Sequence, residues 1–500
     1  MRGLLVHQGT PGPRSLHLGV ESLRRPDRRG AYTRARHPPT AFIAGEDHAA
    51  CPGAYIGATL NHQVSRGLWP LALSLAAVGC QTGRSLPIAA SMGSDPTLPA
   101  SEHSLIPTIR VATAIGWPDG VTPVAAEGTR VQEFAGGLSH PRWLYVLPNG
   151  DVLVAETNAP PKPDDGKGLR GRVQKIFMKR AGAVTPSANR ITLLRDVDSD
   201  GVAKLRTIFV EGLSSPFGMV LVGNDFYVAN SDSLVRYSYQ AGDTQLRGAG
   251  TLIARLPAGP INHHWTKNVI ASPDSSKLYV TIGSNSNAGE NGMQVERDRA
   301  AIWQIDRNSG SHRIFASGIR NPNGMAWEPQ TGMLWTVANE RDELGNDLVP
   351  DYLTAVQDGA FYGWPYSYYG QHVDTRIQPQ RPDLVASAVV PDYALGAHTA
   401  SLGLAWSAEN SLPPRFARGM FVGQHGSWNR SEPSGYKVIF VPFTDGKPSG
   451  PAIDVLTGFL NGKGEAYGRP VGVAIDKRGG LLVADDVGNI VWRVTRAPTK

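Results

Sequence analysis

Cysteine is nearly absent: the chain has two in 500 residues, Cys51 and Cys80, and both precede the repeats described below, so no disulfide can staple that region. Helical periodicity is absent too. From about residue 126 onward no stretch combines an apolar 3.6-residue period with helix caps over three turns, and little helix is expected there. Long hydrophobic runs are missing, since the apolar stretch before Cys80 is only about a dozen residues, too short to span a bilayer as a stable helix. The bulk of the chain also lacks net charge. Residues 1–90 hold ten arginines and four acids, while the remaining 410 residues hold 39 basic and 39 acidic groups. The formal charge of +6 therefore belongs to the N-terminal part, and a nucleic-acid partner is not expected.

What the chain does have is a rhythm. Six times between about residues 137 and 495 a small-residue turn with Pro or His leads to an apolar stretch, a turn and a second β-rich stretch. Gly137-Leu138-Ser139-His140-Pro141-Arg142 leads to Val152-Leu153-Val154, Gly212-Leu213-Ser214-Ser215-Pro216 to Phe226-Tyr227-Val228, Gly318-Ile319-Arg320-Asn321-Pro322 to Leu334-Trp335-Thr336, and Gly468-Arg469-Pro470 to Leu481-Leu482-Val483. Looser copies begin at Asn262-His263-His264 and Ser401-Leu402-Gly403. Spacings of 47 to 79 residues suit sheet blades with loop insertions. Short β-rich strands must hide their edges, and radial repetition hides them. The expected fold is all-β: a six-bladed β-propeller of four-stranded antiparallel blades over residues 126–497.

The N-terminal part divides differently. Residues 1–65 are Arg-, Pro- and Gly-rich without a period, and read as a non-native or disordered extension. Residues 66–80, with one basic residue, a short apolar core and small residues before Cys80, resemble a bacterial lipoprotein signal. That reading makes Cys80 a lipid anchor and places the protein in the periplasm. Residues 81–125, rich in Ser, Pro, Thr and Ala, read as a flexible tether.

In a propeller the turns that open the blades converge at one end of the channel. Those turns carry Arg142, Asn262-His263-His264, Arg320-Asn321, His398 and Arg469, joined by the run His425-Gly426-Ser427-Trp428-Asn429-Arg430. Arginines at equivalent places in three repeats suit a polyanionic small molecule, because guanidinium forks match carboxylates two bonds at a time. Pairing of each arginine with a local acid is the competing reading. His263 is the expected base, imidazole being poised to take a proton near neutral pH. Oxygen donors in Asn339-Glu340-Arg341-Asp342 suit a hard cation such as calcium. Asp196-Val197-Asp198-Ser199-Asp200-Gly201 has the spacing of a calcium loop, but Thr207 stands where the twelfth-position Glu would be.

The run from Gly318 to Trp327, the Asn339–Asp347 loop and Tyr362-Gly363-Trp364-Pro365-Tyr366 together resemble the sorbosone dehydrogenase and soluble glucose dehydrogenase family. The Asn262-His263 turn before Tyr279-Val280-Thr281-Ile282-Gly283 and the His425–Arg430 run resemble its sorbosone dehydrogenase branch. The resemblance implies a propeller that oxidises a sugar or sugar aldehyde with pyrroloquinoline quinone (PQQ) and calcium, then passes electrons to an external acceptor. It implies His263 as general base and Arg320 with Asn321 near the reactive quinone carbonyls. Arg469 falls at a cofactor carboxylate, and Arg142, His398, His425 and Trp428 fall at further cofactor contacts. Backbone carbonyls of Asn339, Glu340 and Arg341 are implied as calcium ligands. A calcium-dependent propeller lactonase and a non-catalytic glycan-binding propeller are the alternatives.

Overall fold

A computed structural model describes residues 85–102, 110–161, 179–408 and 410–498, all within one compact unit, Gly79–Lys500. The expectations for residues 1–65 and for the signal ending at Cys80 lie outside the described residues.

Six antiparallel four-stranded blades are present. Blade 1 is Pro141–Val146, Val152–Glu156, Arg190–Arg195 and Leu205–Val210; blade 2 is Met219–Val222, Asp225–Ala229, Ser233–Ser238 and Thr251–Arg255. Blade 3 is Val269–Ala271, Lys277–Ile282, Ala301–Asp306 and His312–Ser317; blade 4 is Asn321–Trp327, Leu334–Asn339, Pro350–Val356 and Tyr393–Ala397. Blade 5 is Ser401–Trp406, Gly419–Gln424, Lys437–Thr444 and Ile453–Thr457. Blade 6 takes Pro470–Ile475, Leu481–Asp485 and Ile490–Arg496 from the end of the chain, and its outer strand is Thr129–Ala135, which pairs antiparallel with Ile490–Arg496. Joining the two ends in one sheet removes the free edge that an open row of blades would expose. The only α-helix among the described residues is the short Pro382–Ser387, and no described helix is long and apolar enough to cross a membrane.

Innermost strands of successive blades touch all the way round, including blade 6 against blade 1. Two glycines make that approach possible. A Cβ on Gly403 would fall 2.1 Å from the Val471 carbonyl oxygen, and one on Gly472 2.7 Å from that of Arg142. The core therefore lies in wedges between blades. Trp335, Val337 and Leu353 of blade 4 pack with Leu404, Met420 and Val422 of blade 5, and Phe421 and Phe440 pack with Val473 and Val483 of blade 6. Each fully buried side chain of this kind contributes about 1.5–3 kcal/mol.

The expected tether is a correction. Met92–Gly93 adds to the edge of blade 4 beside Tyr393–Ala397, and Val124–Ala125 adds to the edge of blade 5 beside Ile453–Thr457. Ala112 is buried, and the indole N–H of Trp117 donates to Asp485 Oδ2 at 2.6 Å while its ring meets Trp492 edge-on. Ser, Pro and Thr composition was read as flexibility, yet exposed blade edges and aromatic pockets are strong partners for an extended segment.

Because strands alternate in direction, the turn opening a blade and the loop after its second strand lie on one face. Connections after first and third strands lie on the other, apart from the long insertion after Val356, which reaches back toward the first face: Trp364 Nε1 donates to the Asn287 carbonyl at 3.0 Å.

Candidate active site

Arg142, from the opening of blade 1, donates through Nη1 to Asp486 Oδ2 at 2.7 Å. Asp486 follows the second strand of blade 6 and also meets His425 Nε2, from blade 5, at 2.9 Å, with His140 Nε2 at 3.7 Å. Burial alone would raise the Asp486 pKa, but His425, His140 and Arg142 hold it far below the usual carboxylate range. Burial lowers that of His425 to about 4 despite this carboxylate, which keeps the imidazole neutral. Arg469 shares the field of Arg142 and His425. Its guanidinium stacks 4.9 Å over Tyr436 and donates from Nη2 to the Ala112 carbonyl at 3.4 Å; among the described residues no carboxylate lies within ion-pair distance.

A second group forms across blades 3, 4 and 5. Buried Arg320 donates through Nε and Nη2 to the carbonyl and Oδ1 of Asn287 at 3.0 and 2.9 Å, and through Nη1 to the Glu340 carbonyl at 2.8 Å. Asp342 Oδ2 lies 3.7 Å from Arg320 Nη2, while its Oδ1 accepts from Asn429 at 2.5 Å and lies 3.4 Å from His398 Nδ1. Burial opposes the charged form of His398, yet Asp342 outweighs it and the pKa is raised. Beneath them Asp351 accepts the N–H groups of Glu340 and Ser401 at 3.0 and 2.9 Å, and burial pushes its pKa up to about 6. The segment His425–Asn429 contributes to both groups.

His263 and His264 lie edge to face, centroids 4.7 Å apart, on the turn opening blade 3. The backbone N–H of His263 donates to Asn285 Oδ1 at 3.1 Å. His264 is the better placed for chemistry. Its Nδ1 is 2.9 Å from both the carbonyl and the Oγ of Ser284, and a carbonyl only accepts, so Nδ1 carries the proton and Nε2 the lone pair. An added Cβ at Gly283 would fall 2.5 Å from His264 Cβ and 2.6 Å from Asn321 Oδ1, which puts His264 beside Asn321. Two buried cations support the turn: Lys267 donates to the carbonyls of His264 and Trp265 at 3.2 and 3.3 Å, and Arg299 to Asn262 Oδ1 at 3.1 Å and to the Gly283 carbonyl at 3.2 Å.

The structure thus gathers Arg142, His425 and Arg469 in one group, Arg320 and His398 in the other, with Asn321 beside His264. Trp428 departs from expectation: 46 % exposed, it sits on the rim and its carbonyl accepts the Arg110 N–H at 2.9 Å. Arg142 is paired with an acid, as the competing reading had it. The residues that composition and repeats did not single out, Asn287, Asp351 and Asp486, follow second strands or open third ones, and Asp342, expected as an oxygen donor to a cation, pairs with Arg320 and His398 instead. The apolar run Leu481–Ala484 ending in two aspartates carried that signal, but only strand alternation brings it to the same face.

Whether cofactors fit is decided by buried atoms without partners. Among the described residues these include Arg142 Nε, Arg469 Nε, Asn321 Oδ1 and Asn429 Oδ1. Each such atom costs about 1–3 kcal/mol if left unpaired; the two guanidinium N–H groups suit an anion bearing carboxylates and carbonyls, while the two amide oxygens call for a donor such as a hydroxyl or ring N–H. Calcium at Asn339–Arg341 fits less well. The Glu340 and Asn339 carbonyls already face Arg320 Nη1, at 2.8 and 3.4 Å, and the Arg341 guanidinium is buried against Glu340, Asp374 and the carbonyls of Pro365 and Ser367. The carboxylates of Asp196, Asp198 and Asp200 do gather within 4.8 Å, but Lys204 and Arg478 already pair with them on the opposite face.

Residues 224–424 match the family described as Glucose / Sorbosone dehydrogenase, and residues 378–497 the one described as TrAA12-like. A pyrroloquinoline quinone-dependent pyranose dehydrogenase of Coprinopsis cinerea is 22% identical over 434 residues, covering 74% of this chain and 54% of that protein, so this chain spans about half the relative's length. An aldose sugar dehydrogenase of Escherichia coli is 29% identical over 120 residues, 24% of this chain and 30% of that protein. Among solved structures, the holo form of the pyranose dehydrogenase PQQ domain from Coprinopsis cinerea superposes with a TM-score of 0.60 at 21% identity over 77% of this chain and 100% of that one. A calcium structure of the Trichoderma reesei family AA12 enzyme gives 0.62 at 17% identity, covering 78% and 99%. At such identities the superpositions speak for the six-bladed fold. Residues 224–424 thus match the glucose/sorbosone dehydrogenase family within a six-bladed fold that these solved structures share.

Proposed function

We propose that the protein is a quinoprotein dehydrogenase that oxidises a sugar or sugar aldehyde with PQQ. The observation that carries this reading is the convergence of Arg469, which has no carboxylate partner among the described residues, with Arg320, Asn321 and His264 on one face of the ring. When bound, PQQ supplies the two-electron oxidant that protein side chains lack. Arg469 would hold a carboxylate of the cofactor, and Asn321 would offer it a buried polar side chain. Arg320, fixed by Asn287 and Glu340, presents positive charge where an oxyanion would develop. His264 would take the hydroxyl proton at Nε2, its ring held by Ser284; His263, the base expected from the motif, lies edge to face beside it. The hydrogen and electron pair lost from the C–H bond would be taken up by the bound quinone. An external acceptor then regenerates the oxidised cofactor, which fits a periplasmic protein anchored at Cys80.

The His425–Arg430 run favours the sorbosone branch and hence an aldehyde substrate. Calcium has no role in this reading, because Arg320 already bonds two of the three carbonyls expected to bind it, those of Asn339 and Glu340. The test is reconstitution of purified protein with PQQ, followed by dye reduction with aldoses and sorbosone. Turnover that requires PQQ supports the reading. Lactone opening without quinone, or saturable glycan binding with no turnover, overturns it.

A further inference from the structure

The N-terminal segment is pinned to the site face from its first described residue. Ser85 Oγ donates to Asp347 Oδ1 at 3.2 Å, the Leu86 N–H donates to Asp347 Oδ2 at 2.9 Å, and Arg430 Nη2 donates to Ser85 Oγ and to the Leu86 carbonyl, both at 2.9 Å. Asp347 and Arg430 pair at 2.7 Å and belong to the loops after the second strands of blades 4 and 5. Only Gln81, Thr82, Gly83 and Arg84 separate Ser85 from Cys80. Five extended residue steps reach about 17 Å. A folded unit of this length has a radius of gyration on the order of 20 Å, so a lipid at Cys80 could not be reached from the far face.

The surface beside this attachment has a matching character. Trp428 is 46 % and Ile115 47 % exposed. Around them lie exposed Arg110, whose N–H bonds the Trp428 carbonyl, Lys179 and Arg180, the latter's carbonyl accepting from Ala114, and Lys463, against the acids Asp119, Glu432 and Glu465 nearby in the chain. An indole and cations on one rim are what the interface of an anionic bilayer favours.

We propose that the rim of the site face over blades 5 and 6 docks on an anionic membrane surface, held there by a lipid on Cys80 through a four-residue spacer. This rests on the lipoprotein reading of residues 66–80, not on the dehydrogenase reading. In a six-membered ring blades 2 and 3 stand opposite blades 5 and 6, so the His264 side faces away from the lipid and is left to the water-borne substrate.

The full chain, expressed in a Gram-negative host, tests this. Reporter cysteines replace Trp428, Ile115 and, on the opposite face between the first two strands of blade 3, Ser276; each is labelled with an environment-sensitive dye. The lipidated protein is placed in vesicles of phosphatidylethanolamine and phosphatidylglycerol containing brominated lipid. Expected are an acylated N-terminus at Cys80, loss of membrane retention in Cys80→Ala, and at least twofold stronger quenching at 428 and 115 than at 276. Retention of Cys80→Ala in membranes, equal quenching at the three sites, or quenching at 276 alone overturns the proposal. Protection of 428 and 115 in native membranes but not in lipid vesicles overturns it in favour of a protein partner. Dye reduction by the same preparations reports separately on the dehydrogenase reading.

Discussion

The two faces of the propeller use the same residue types for different ends. On the face opposite the site, Lys277 and Asp306 pair at 2.6 Å with both side chains about a third exposed, and Lys204 neutralises Asp198 and Asp200 in the open. Such pairs fix turns and are screened by water. On the site face Asp486 and Asp351 are buried and Asp342 is partly buried, and each is bonded to groups from more than one loop or blade. There a carboxylate holds a histidine or an arginine at a set angle, and removing one partner strands the other away from solvent. Burial rather than residue identity separates a turn from a site.

The largest effect expected is at the base. In the PQQ-reconstituted protein His264→Ala should lower kcat/KM for dye reduction by about 100- to 10,000-fold, whereas His263→Ala should cost less than about tenfold. The reverse order would restore His263 as base. Next come the two arginines of the blade 6 and blade 1 group. Arg142→Ala leaves the buried Asp486 with His425 and His140 but no guanidinium, and should destabilise the fold by about 3 kcal/mol in denaturant melts. Arg469→Ala, with no acid to strand, should leave the melt nearly unchanged while weakening PQQ binding to the apo-protein by about 10- to 100-fold, measured by titration of intrinsic fluorescence.

Asp351 gives a pH signature. Its folded pKa, about 6, lies above that of an unfolded Asp, so the unfolded chain loses this proton first and stability falls as pH rises through the window from about 4 to about 6. Asp351→Asn should flatten that fall in Tm measured across the same window, because Asn still offers an oxygen to the Glu340 and Ser401 N–H groups. The smallest effect belongs to the other face: Lys204→Ala should shift Tm by less than about 2 °C and leave turnover unchanged. A large loss there would erase the contrast between the faces.

Much of the architecture was legible in the chain. The recurring Pro or His turns, each followed by two β-rich runs, announced six blades, because strand propensity and turn chemistry act locally. The arginine and histidine candidates were legible for the same reason, sitting in the turns that open blades. Their acidic partnerships were not, since Asp486 lies across blade boundaries from Arg142 and His425, and Asp342, legible only as an oxygen donor, reaches His398 and Asn429 of the next blade. The segment 85–125 was misjudged because composition records local stiffness and not an available sheet edge.

Sequence by itself determined the number of blades, the scarcity of helix among the described residues of the repeats, the lack of cysteine within those repeats, and which turns carry cationic side chains, since all of these follow from short-range periodicity and counting. Only the tertiary structure decided that the Arg142 guanidinium meets a carboxylate while that of Arg469 lies over Tyr436, that His264 lies beside Asn321, and that Ser85 is held on the site face. Those outcomes depend on burial and on angles between groups far apart in sequence, such as Arg142 and Asp486, 344 residues apart, and no local pattern encodes them.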